Sequence, residues 1–166
     1  SIQVCRLNSA PYSTREPDDK QFHFFPVEAC ENLKRRENVD FKITIMHHHF
    51  EWCEWSSKEM IKQSIASDDI TFFGHDHKAE FYTTQYSDGP QNTIFRGGKF
   101  DLDPERNAAF NAAIFDTDQH MTTRYRFDWA IEARLFTAKE HGAFAQINHS
   151  LAPKEEYLEA LGRDNQ

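Results

Sequence analysis

The alternation of apolar and polar residues predicts strands first. Ile2-Gln3-Val4-Cys5-Arg6-Leu7 alternates from its first residue. Residues 40–46 repeat the pattern, apolar at Phe41, Ile43 and Ile45, and residues 69–73 form a third, shorter apolar run. A polar loop over residues 8–19 separates the first two, followed by Pro26 at the first position of a helix carrying Glu28, Ala29 and Leu33. Between the second and third runs, Ser56-Ser57-Lys58-Glu59 reads as a capping box with Ser56 as the cap. The helix it opens carries Met60, Ile61 and Ile65. Strand, helix, strand in this order predicts parallel strands and an α/β class.

Further along, the elements shorten. Residues 81–86, 93–96, 108–115 and 123–129 read as strands separated by turn signals, notably Asp88-Gly89-Pro90 and Gly97-Gly98. They predict an antiparallel meander, with residues 131–136 as a last apolar strand or helix. From Lys139 the pattern loosens, and Pro153 opens a short helix through Tyr157, Leu158 and Leu161. The expected division is a domain over residues 1–138 and a linker or appended helix over 139–166.

Composition narrows the function. The 166 residues suit one domain. With 19 Lys and Arg against 27 Asp and Glu, the net charge of -8 argues against broad binding to nucleic acid or membrane surfaces. No apolar run approaches the ~20 residues of a membrane helix. Cys5, Cys30 and Cys53 form no Cys-x-x-Cys pair and read as buried, reduced thiols of a cytoplasmic protein.

The anomaly is nine histidines, five of them in His47-His48-His49 and His75-Asp76-His77. Each cluster follows a predicted strand directly, the second after Gly74, so both fall where α/β folds gather their ligand residues. On an extended backbone His75 and His77 point to one side, and His47 can supply a third imidazole. Such a set suits Mn, Fe, Zn or Ni. His48 and His49 read as structural, because three neighbours cannot all face one ion. His23, His120, His141 and His149 read as ordinary surface or core residues. Trp52 and Trp55 read as packing under the first histidine loop, Lys34-Arg35-Arg36 as a solvated helix end, and Arg96-Gly97-Gly98 as a turn.

Ile43-Thr44-Ile45-Met46-His47-His48-His49 and Ile70-Thr71-Phe72-Phe73-Gly74-His75-Asp76-His77 together resemble the second half of a calcineurin-like metallophosphoesterase. There one strand ends in a His, often as His-x-Pro, and a later one in Gly-His-x-His. The resemblance covers roughly residues 1–135. It implies a four-layer fold of two packed mixed sheets flanked by helices. It also implies metal ligation by His47, His75 and His77, and hydrolysis of a phosphomonoester or phosphodiester by a metal-bound hydroxide. His49 stands where proline is common. The family's earlier Asp-x-His, Gly-Asp-x-x-Asp and Gly-Asn-His motifs do not occur. The expectation is therefore the C-terminal half of such a domain, which pairs with a missing N-terminal half or self-associates. The alternative is a catalytically inactive half-domain or scaffold retaining at most one metal ion.

Overall fold

A computed structural model describes residues 1–9, 11, 20–75, 79–85, 91–98, 108–116 and 121–145. Among these residues eight strands and two α-helices follow one another: β1 (Ile2–Leu7), α1 (Val27–Glu31), β2 (Phe41–Met46), α2 (Trp55–Ile65), β3 (Ile70–Phe73), β4 (Glu80–Gln85), β5 (Gln91–Arg96), β6 (Ala109–Asp116), β7 (Met121–Ala130) and β8 (Leu135–Ala145). The class is mixed α/β. A five-stranded sheet has the order β1-β2-β3-β5-β4, and a three-stranded sheet the order β6-β7-β8.

Parallel pairing of β1 with β2 and of β2 with β3 matches the sequence expectation. The meander is corrected in part. β4 and β5 form an antiparallel hairpin, but β5 pairs parallel with β3, so both join the large sheet. Only β6, β7 and β8 form an antiparallel meander. Residues 131–134 make its last turn, and β8 runs on to Ala145.

The large sheet is covered on both faces, as parallel strands require. Alternate residues of β2 face opposite ways. Met46 joins Leu33, Ile61, Ile65, Phe73 and Ile94 under the helices. Phe41 joins Ile70 and Phe95 on the other face, where Ala113 and Phe115 of β6 close over them. Phe41 and Phe115 meet with ring centroids 5.3 Å apart. Ile61 and Ile65 stand one helical turn apart and are fully buried, so truncating either to Ala removes about 2–5 kcal/mol. The smaller sheet does not reach β1 and the end of β2, where Ile2, Val4 and Ile45 stay 67%, 55% and 43% exposed.

Helix α2 begins two residues earlier than its sequence suggests. Glu54, not Ser56, is the cap: its carboxylate accepts the N–H groups of Ser57 (2.8 Å) and Ser56 (3.2 Å). An acceptor of full charge satisfies two orphan donors at once. The Ser56 and Ser57 hydroxyls also donate to this carboxylate, and together with the N–H bonds they hold it down to about 2. Ser57 is released to accept the Phe25 N–H at 2.9 Å, which ties α2 to the segment entering α1. Pro26 caps α1 from just outside it.

At the amino ends of β2 and β3 lies a buried ionic cluster. Lys42, within the core, pairs with Asp68 at 2.5 Å and donates to the Ser64 carbonyl of α2 at 3.1 Å. Asp69 accepts the Lys42 N–H at 2.6 Å and both Arg35 nitrogens at 3.3 Å. Arg35 also donates to the carbonyls of Ser67, Val39 and Asp40. The expected solvated basic run thus contains a half-buried staple. Burial pushes the Asp68 carboxyl up to about 6, against the downward pull of the Lys42 ammonium.

Candidate metal centre

The site grows from the carboxyl ends of β2, β3 and β5. The Gly74 N–H donates to the carbonyls of Met46 (3.2 Å) and His47 (2.9 Å), clamping the end of β3 onto that of β2. The Gly97 N–H donates to the Phe73 carbonyl at 2.6 Å and clamps β5 in the same way. A Cβ on Gly74 would lie 3.3 Å from both Nδ1 and the carbonyl oxygen of His47. The glycine therefore permits a close approach; its own φ is not positive. The left-handed residue is His75, with φ of 62°. Histidine tolerates that region better than most side chains. The expectation of an extended backbone at His75 is corrected accordingly, and His77 and Asp76 lie outside the described residues.

The turn brings His47 Nε2 within 3.2 Å of His75 Nδ1. His48 joins them, its ring centroid 4.6 Å from that of His47 and 4.4 Å from that of His75. One nitrogen from each of His47, His48 and His75 falls in a set whose members all lie within 4.8 Å of one another. Among the described residues no carboxylate belongs to that set. His48, read from the sequence as structural, stands beside the other two rings: the chain bends at residues 47 and 48 instead of continuing as a strand, so neighbouring rings share one side.

Ser9 positions His48 twice. Its hydroxyl accepts the His48 N–H at 3.0 Å and shares a 2.8 Å hydrogen bond with Nδ1 of the ring. With the proton on Nδ1, the lone pair is left on Nε2, the arrangement that outer hydrogen bonds give to metal-binding imidazoles. His49 faces elsewhere. Its Nε2 meets the Tyr82 hydroxyl at 2.7 Å, and its Nδ1 accepts the Glu51 N–H at 3.2 Å, capping the short 3-10 turn Phe50–Trp52. That is the structural role expected of it.

Aromatic groups wall the cluster. Trp52 meets His75 edge-on at 4.5 Å and 88°, which puts it at the rim of the site. Buried His23 meets His48 edge-on at 4.4 Å and is bridged through its backbone to Cys53. Trp55 projects outward, 77% exposed. Cys5, Cys30 and Cys53 are all free and buried, as expected of reduced thiols. Burial, with Cys30, Glu54 and Glu51 nearby, pushes the Cys53 thiol up to about 12, so it offers no thiolate to a metal at neutral pH.

The donor set fits one divalent ion. Ligands about 2.0–2.1 Å from a tetrahedral zinc stand ~3.3 Å apart, and the His47–His75 nitrogens are 3.2 Å apart already. A bound ion would polarise a phosphoryl oxygen or lower the pKa of a water molecule. The chain's own groups orient the imidazoles through Ser9 and Gly74, and Trp52 packs against the His75 ring. Two adjacent cations would need bridging negative charge to offset their repulsion, and among the described residues the cluster holds none.

No helix of the described residues is long and apolar enough to cross a membrane. No family model matches the chain, and neither does any curated protein. Among solved structures it is similar to vacuolar protein sorting 29 from Cryptosporidium parvum, at 12% identity over 87% of this chain and 97% of that one, with a TM-score of 0.41. Vps29 from Chaetomium thermophilum bound to a cyclic peptide gives 11% identity over 87% and 96%, with a TM-score of 0.37. What the site does therefore has to follow from its own residues.

Proposed function

We propose that this chain is a metallophosphoesterase-like module that holds a single divalent ion on His47, His48 and His75 and works as a binding or scaffold unit, not as a self-sufficient binuclear hydrolase. The observation that carries the reading is the composition of the cluster: three imidazoles, and no carboxylate among the described residues. Imidazole accepts Mn, Fe, Zn or Ni, and a set of three neutral imidazoles favours one ion over two. His77, two residues beyond His75, is the reserve ligand that the sequence pattern offers. A cytoplasmic setting suits the three free thiols.

A second reading keeps hydrolysis but distributes it. Among the described residues β1 is an edge of the sheet, and its exposed Ile2 and Val4 adjoin β2, whose end carries His47. A polypeptide docking there would bring carboxylates to the site and complete a binuclear centre for a phosphoester substrate. A second copy of the chain is the other candidate for that edge.

The test is metal stoichiometry with turnover. The chain is loaded with Mn²⁺ or Zn²⁺, bound metal is quantified, and p-nitrophenyl phosphate and its bis ester are assayed. One ion per chain without turnover is expected. Two ions with turnover would overturn the single-ion module in favour of the hydrolase.

A further inference from the structure

Beside His47, on the face of the large sheet away from the helices, lies a cavity of about 400 Å³. Ile45, Phe72 and Phe95 line it from that sheet, and Phe110 and Asn111 from β6. Phe72 and Phe95 stack with centroids 5.2 Å apart and planes 25° apart, and together they make an apolar floor. Gly97 and Gly98 lie at its edge, and Gly98 has no room for a side chain: a Cβ would sit 1.9 Å from the Ala109 carbonyl oxygen.

Two polar side chains of this cavity have partners at its wall. The Asn111 amide donates to the carbonyls of Arg96 (3.0 Å) and Glu80 (3.4 Å). The Arg96 guanidinium pairs with Glu80 at 3.3 Å. Recognition here rests on shape and apolar contact, and the volume is that of a small-ligand site. His47 belongs both to the cavity wall and to the metal cluster. An anionic head and an apolar body thus have adjoining places.

We propose that this cavity seats an uncharged aromatic ring, and that the chain's ligand is an aryl phosphoester whose phosphoryl group lies at the histidine cluster. The inference builds on the single-ion reading above and adds the class of ligand.

Calorimetry on the full Mn²⁺-loaded chain, with phenylphosphonate against methylphosphonate, separates ring from head. The aryl compound binds about tenfold tighter or more, the effect of burying one ring. Ile45→Trp fills the cavity from a position already 43% exposed. It abolishes the preference and leaves methylphosphonate binding as it was. Phe72→Leu, which removes half of the floor, weakens the preference independently. Equal binding of the two phosphonates, or a preference that survives Ile45→Trp, overturns the aryl pocket and leaves the metal reading intact. Where Mn²⁺ does not bind, phenol is titrated by NMR. Shifts at Ile45 that Ile45→Trp abolishes keep the pocket and sink the metal reading; no shifts sink both.

Discussion

The two ends of the large sheet both hold buried or half-buried polar side chains, and they balance charge in opposite ways. At the amino ends, Lys42 and Arg35 face Asp68 and Asp69. Cation matches anion, and the hydrogen bonds run to fixed carbonyls. At the carboxyl ends, His47, His48 and His75 converge with no carboxylate among the described residues to balance a bound cation. The first cluster is complete within the chain and so serves the fold. The second is a set of donors awaiting a charge, which is how a ligand site differs from a structural one.

The comparison breaks most visibly at Lys42. Lys42→Met leaves Asp68 buried beside an apolar side chain, and the chain loses about 3–5 kcal/mol in urea unfolding. Changing both partners, Lys42→Met with Asp68→Leu, recovers much of that loss. A single variant as stable as the parent would show that the amino-end cluster holds nothing together. The opposite pattern is expected at His75. His75→Asn keeps a residue that tolerates the left-handed backbone, so stability holds while Mn²⁺ affinity falls by roughly 100-fold in calorimetry. A stability loss comparable to that of Lys42→Met would make the histidines structural as well.

Two smaller effects sharpen the contrast. Ser9→Ala frees the His48 ring and lowers metal affinity by about tenfold; an unchanged affinity would remove His48 from the ligand set. The smallest effect is at Glu54, which lies at neither end. Its carboxyl titrates near 2 in the fold because Ser56 and Ser57 donate to it, against 4.5 as the ordinary value. The folded pKa is depressed, so the cap's contribution is complete above pH 4.5 and disappears as the pH falls toward 2. Glu54→Gln is slightly less stable at neutral pH and loses less across that window. Parallel urea midpoints for the two proteins from pH 5 to 2 would show that the cap contributes nothing.

The strands that build the site were legible because local alternation and turn residues mark them. Ile2–Leu7 and Phe41–Met46 fall where the pattern put them, and the chain reaches His47 directly from β2. What could not be read was pairing over distance. The run from Thr93 to Arg96 reads as a strand, yet nothing local says that β5 lies parallel to β3. His48 was missed for a related reason. On a strand, neighbours point to opposite sides, and only the bend after Met46 together with Ser9, far back in the chain, turns its ring inward. The cap of α2 was misplaced because Ser56 and Glu54 are both good acceptors, and the longer, charged side chain reaches two N–H groups.

Gly98 carries a consequence for how the gene can vary. The carbonyl of Ala109 occupies the space where any side chain at 98 would begin. A saturation library at that codon, screened only for soluble, folded chains, should return glycine and almost nothing else. The neighbouring Ile45 codon should drift freely in the same screen, and narrow only when cells are made to depend on the ligand.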